Sequence, residues 1–98
     1  MKVLYFKGVE EFISSLNDDD RGRIVRTAKF FEESAFSIGP KYIKKISKIG
    51  IWELRSGKVR LFLYIKGKDA ICVHAIYKKS QKLKSNDIKL AEKRSKEL

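Results

Sequence analysis

The side chains able to do chemistry in this 98-residue chain are few, and most of them are cations. There is one histidine, His74, and one cysteine, Cys72, which together cannot complete a tetrahedral metal site. The acids of residues 41–98 (Glu53, Asp69, Asp87, Glu92 and Glu97) show no metal-ligand spacing, so neither a metal nor another cofactor is expected. A serine triad or a pair of histidines is equally unsupported. What remains is a cationic set, Arg55, Arg60, Lys78 and Lys79, with His74 and Tyr77 near it in sequence. Such a set suits RNA cleavage without metal, in which the RNA's own 2′-OH attacks the adjacent phosphate. The protein then has to orient the strand, stabilise the added negative charge and move protons. Arginines suit the second task, and a lysine crowded by other cations, its pKa lowered, suits the third. His74, Tyr77 and Lys78 are all candidates for proton transfer.

The distribution of charge points to the same kind of partner. Residues 1–40 hold six Lys/Arg against seven Asp/Glu, whereas residues 41–98 hold seventeen against five. The two parts carry −1 and +12, which together make the net +11 of the chain. A segment so unbalanced repels itself unless an anionic partner neutralises it, and nucleic acid is the commonest such partner, a membrane surface the second. Lys41, Lys44, Lys45, Lys48, Lys58, Lys82 and Lys84 are the further cations expected to bind RNA. A merely solvated basic surface would have the same composition. A lone Cys72 forms no internal disulfide, which makes a reducing cytoplasm the expected location. No apolar run approaches the roughly 18 residues of a membrane span. The apolar part of Met1 to Phe6 is too short for a signal peptide.

These residues need a scaffold, and the periodicity supplies one. Lys2 to Phe6 reads as a strand stopped by Lys7-Gly8. Val9, Phe12, Ile13 and Leu16 then recur at the spacing of an amphipathic helix. Asn17 to Asp20 ends that helix and caps the next, which carries Ile24, Val25, Ala28, Phe31 and Ala35 to about Phe36. Ile38-Gly39-Pro40 breaks it, and two helices so close in sequence read as an antiparallel hairpin. Lys41 to Lys48 fits either a helical turn or an extended loop. Ile51 to Arg55, Val59 to Lys66 and Ala70 to Lys78 are strand-like, separated by Ser56-Gly57-Lys58 and Gly67-Lys68-Asp69. Ser85 or Asn86 caps a last helix with Ile88, Ala91 and Ser95 facing inward. The order β-α-α-β-β-β-α predicts an α+β fold in one domain, residues 1–98. Its small, mostly antiparallel sheet is packed by an N-terminal helical hairpin and a C-terminal helix.

A two-residue Gly57-Lys58 turn pairs Ser56 with Val59, Arg55 with Arg60, Leu54 with Leu61 and Glu53 with Phe62. Side chains alternate along strands, so Trp52, Leu54, Val59, Leu61, Leu63 and Ile65 share an apolar face that should be core. The other face carries Glu53, Arg55, Arg60, Phe62, Tyr64 and Lys66. Two opposed arginines repel, and either Glu53 or a bound phosphate would relieve them. Phe62 reads better as packing beneath the last helix than as a base-stacking platform. For the third strand two registers are open. A two-residue turn would put Cys72, His74, Ile76 and Lys78 on the core face. A three-residue loop would bury Ile71, Val73 and Ala75 and turn His74 and Lys78 toward the arginines; burial preferences favour the loop.

From Ile46 to Arg94 the sequence resembles the phage-derived, HigB-like branch of the RelE/ParE toxin superfamily. Gly50-Ile51-Trp52-Glu53-Leu54-Arg55 is similar to that family's G-L-W-E-L-R, and Val59-Arg60-Leu61-Phe62-Leu63-Tyr64 to its Y-R-V-F-Y-F. Lys78-Lys79-Ser80-Gln81-Lys82 resembles K-K-T-Q-K, and Asp87-Ile88 with Ala91 the E-I-x-x-A opening of its last helix. Two positions depart: Ile76 stands where the family has Phe, which leaves base stacking to Tyr77, and Lys84 where it has Pro. The resemblance implies a RelE-like fold and a toxin that enters the ribosomal A site, cleaves mRNA and is held inactive by a cognate antitoxin, often a helix-turn-helix protein. It implies roles for Arg55 and Arg60, with Arg60 as the phosphate-stabilising residue, for the pair Lys78 and Lys79, and for His74. Two other classes fit the same surface: a non-catalytic RNA- or ribosome-binding module, and a protein that occupies an acidic partner surface.

Overall fold

The computed structural model describes residues 1–78 and 85–98. The chain runs β1 (Lys2–Tyr5), α1 (Lys7–Ser14), α2 (Asp18–Ser34), a 3₁₀ turn (Ala35–Ile38), β2 (Ile43–Lys45), β3 (Ile51–Ser56), β4 (Val59–Lys66), β5 (Asp69–Tyr77) and α3 (Ser85–Ser95). The five strands form one mixed sheet in the order β1-β5-β4-β3-β2. β1 is parallel to β5, and the other neighbours are antiparallel. The fold is α+β, as the periodicity predicts. The undecided Lys41–Lys48 stretch holds the edge strand β2, which pairs with β3 from Ile43 opposite Leu54 to Lys45 opposite Trp52.

Local chemistry explains the elements. The side chain of Asn17 accepts a 2.8 Å hydrogen bond from the Asp20 amide, and Asp18, Asp19 and Asp20 place negative charge in the first turn of α2. Arg21, one turn further on, donates to the Ser14 and Leu16 carbonyls at the end of α1. Gly57 opens the β3–β4 turn at φ 60°, and Gly67 opens the β4–β5 turn at φ 61°, the left-handed conformation that a two-residue hairpin asks of its first turn residue when that residue is glycine.

The sheet has helices on both faces. On one, Val9 of α1 and Ile24 and Phe31 of α2 pack with Val3, Ile43, Leu54, Val59, Leu61, Leu63, Ala70 and Cys72. On the other, Ala91 of α3 packs with Ile51, Phe62 and Val73, flanked by Ile71, Ile76 and Ile88. Phe62 is fully buried there, which makes it packing beneath the last helix. The β3–β4 register is the expected one in all four pairs, including Arg55 opposite Arg60.

The β5 register corrects the favoured expectation. Lys66 pairs with Asp69, so Gly67-Lys68 is a two-residue turn and not part of a three-residue loop. The pairing then shifts between Phe62 and Leu63: Leu63 lies opposite Cys72 and Phe62 opposite His74, which leaves Val73 as the extra residue of a β-bulge. One extra residue turns the rest of a strand over. Ala70 and Cys72 therefore face the α1/α2 core before the bulge, and Ala75 faces it after. Val73, His74 and Ile76 lie on the α3 side, so His74 reaches the arginine face by a bulge and not by a longer loop.

Candidate functional site

The α3 side of the sheet is apolar at one end and charged at the other. Its charged end is laid out in two cross-strand rows. One runs from Lys44 on β2 through Glu53 on β3 and Phe62 on β4 to His74 on β5. The next runs from Arg55 through Arg60 to Ile76, toward the β3–β4 turn. Lys78 follows β5, and its amide donates to the Lys58 carbonyl at 2.6 Å. Alternation from Ile76 places Lys78 on this same face, where it is half-buried.

Glu53 is the centre of the cluster. It is 1% exposed, a rare state for a carboxylate that must be compensated by nearby positive charge. Arg55 Nε donates to Glu53 Oε1 at 2.8 Å, and Arg60 Nε stands 3.9 Å from Glu53 Oε2. Among the described residues, Glu53 Oε2 and Arg60 Nε are buried and find no hydrogen-bond partner. Arg60 is anchored at its other end, with Nη1 donating to the Gly57 carbonyl at 2.6 Å and the Val59 carbonyl at 3.1 Å. Loss of water pushes the Arg60 guanidinium below its ordinary pKa, Glu53 opposes that shift and Arg55 adds to it. A cation so placed, beside a second arginine and with a carboxylate at 3.9 Å, favours an incoming phosphate.

His74 sits beside this group with a partner that sequence reasoning missed. Its Nε2 lies 2.9 Å from Oδ1 of Asp87, in the first turn of α3, and its ring packs on Phe62 with centroids 5.3 Å apart. Such a carboxylate fixes the orientation of an imidazole. The fold also brings Ser47 into hydrogen bond with Glu92 and Arg94 Nη1 onto the Val73 carbonyl at 2.7 Å, two ties that lock α3 over the apolar end.

The predicted residues separate by position. Arg55, Arg60, His74 and Lys78 share the α3 face, and Lys44, opposite Glu53, joins them. Tyr77 lies opposite Val59, alternates with Ala75 and points toward the α1/α2 side, 38% exposed at the strand end. Lys45, opposite Trp52, points to that side as well. Lys41 lies beside Tyr42, its Nζ 5.8 Å from the ring centroid, and Lys48 lies in the exposed loop after β2. Lys58 is exposed at the hairpin tip. Lys79, Lys82 and Lys84 lie outside the described residues. Among the described residues no group of three or more His, Cys, Asp and Glu is placed to hold a metal ion, and no helix is long and apolar enough to cross a membrane.

A small α+β sheet thus carries a buried carboxylate, opposed arginines and a His–Asp pair on its α3 face. The model of the family described as "Phage derived protein Gp49-like (DUF891)" matches residues 11–96, and the chain belongs to that family. It is a toxin-like family related to the RelE/ParE-type toxins. No curated protein matches the chain.

Proposed function

We propose that the chain is the toxin of a type II toxin–antitoxin pair, a HigB-like, metal-independent endoribonuclease that cleaves mRNA at the ribosome and so inhibits translation. The observation that carries this reading is the placement of Arg55 and Arg60 side by side with a single buried carboxylate between them. In the reaction the 2′-oxygen bonds to phosphorus as the bond to the 5′-oxygen breaks. One proton leaves the 2′-OH, another reaches the departing oxygen, and the products are a 2′,3′-cyclic phosphate and a 5′-OH. Arg60 and Arg55 neutralise the charge that builds on the phosphate. His74, paired with Asp87, and Lys78 are the proton-transfer groups nearest to them in the strand register. Lys44 and Lys58 lead the RNA across the face. The cognate antitoxin, a helix-turn-helix protein encoded beside the toxin, covers the cationic face or α3, and the pair acts in the cytoplasm.

Primer extension on a defined mRNA, with and without ribosomes programmed in the A site, tests the reading with the wild type beside Arg60→Ala. Cuts that need the ribosome and fall about 10²–10³-fold in the variant support it. Retained ribosome or RNA binding without cuts identifies a binding module on the same fold. Binding to acidic protein but not to RNA identifies a protein-interaction module.

A further inference from the structure

We infer that Glu53 is a positioning residue: it fixes Arg55 beside Arg60 in the geometry that cleavage needs, at the expense of some RNA affinity. This inference rests on the functional reading above. A face that only had to bind RNA would gain nothing from a carboxylate at its centre, because each acid there repels the strand. Yet Glu53 is 1% exposed, sits between the phosphate-binding candidates and bonds to one of them at 2.8 Å. Burying a carboxylate costs several kcal/mol before pairing, so its presence calls for a compensating role.

The geometry supplies that role. Arg55 and Arg60 are directly opposed on β3 and β4, where like charges push apart. Glu53 lies two residues before Arg55, on the same side of β3. From there it fixes Arg55 through Nε and stands 3.9 Å from Nε of Arg60. Both guanidiniums are gripped by the inner nitrogen or by Nη1. Among the described residues, no hydrogen bond engages Nη2 of either arginine. The terminal edges of two arginines held this way can take one phosphodiester from adjacent sides. Displacement of a charged group by about 1 Å costs on the order of 10²-fold in rate, so the carboxylate's effect falls on the chemical step.

The test is Glu53→Gln, which keeps the shape and removes the charge, beside Glu33→Gln, which removes an exposed charge on α2. Cleavage of ribosome-bound mRNA, RNA binding over a range of salt and the melting temperature are measured on each. The expected result for Glu53→Gln is cleavage about 10- to 100-fold slower with RNA bound as tightly as by the wild type or more tightly. Glu33→Gln leaves cleavage unchanged. Unchanged cleavage in Glu53→Gln overturns the inference, and so does a parallel fall of cleavage, binding and melting temperature. Exchange of the arginine Nε–H protons in the wild type adds a readout that needs neither folding of a variant nor activity. Arg55 should exchange more slowly than the exposed Arg26, and equal rates overturn the inference. Absence of cleavage by the wild type itself would instead count against the functional reading, and the exchange rates would still decide whether Glu53 holds Arg55.

Discussion

The two faces of the sheet are built from alternate residues of the same strands and do opposite things. Toward α1 and α2, β3 and β4 present Leu54, Val59, Leu61 and Leu63, all fully buried in an apolar core. Toward α3 they present Ile51 and Phe62 at one end and Glu53, Arg55 and Arg60 at the other. The first face is optimised for burial. Among the described residues, the second leaves Glu53 Oε2 and Arg60 Nε buried without a partner and two cations opposed, where the first leaves Ser56 Oγ unpartnered. Such features reduce stability and persist where a site needs them. Stability and chemistry are divided by side-chain parity, so neighbouring residues on one strand should respond to mutation in different ways.

Leu61→Ala should show the largest effect on the first face. Removing this fully buried side chain should cost about 2–5 kcal/mol in urea denaturation, with activity lost only as the folded fraction falls. High pH attacks the same face. Burial pushes the Cys72 thiol from 9.0 to about 12, and the Tyr5 hydroxyl rises from 10.0 to about 12. The folded state thus holds these protons more tightly than the unfolded chain. Their contribution is fully present below about pH 9 and is lost as pH rises toward 12. Urea midpoints should fall between about pH 9 and about pH 11, and Cys72→Ala should flatten that fall.

On the other face, His74→Ala should slow cleavage by about 10²-fold if the imidazole moves a proton, and Asp87→Asn by less, because the ring remains. Equal rates in His74→Ala and wild type would leave proton transfer to Lys78 or Tyr77. The smallest effect belongs to neither face: Asn17→Ala removes the cap of α2 and should lower stability by about 1 kcal/mol without changing the rate of the folded protein.

Much of this division was legible in the sequence, for reasons that also mark its limits. The β3–β4 hairpin could be registered residue by residue because Gly57-Lys58 fixes the turn and alternation fixes the faces. β5 could not, because a bulge at Val73 is an extra residue with no sequence signature of its own among Ile71, Cys72, Val73 and Ala75. β2 was ambiguous because its three residues are too few to establish a period. Of the site, Arg55 and Arg60 followed from the hairpin and Glu53 was visible as their counter-charge. Its burial depends on strands on both sides and could not be read locally. The His74–Asp87 pair depends on where α3 lands, which no local pattern specifies.

The most direct test compares single-turnover cleavage of ribosome-bound mRNA with urea denaturation for Arg60→Ala. A rate lower by about 10²–10³-fold is expected, far beyond the fall in folded fraction that follows from taking a positive charge away from the buried Glu53. An unchanged rate, or a rate that falls only in step with unfolding, would contradict the assignment of chemistry to this face.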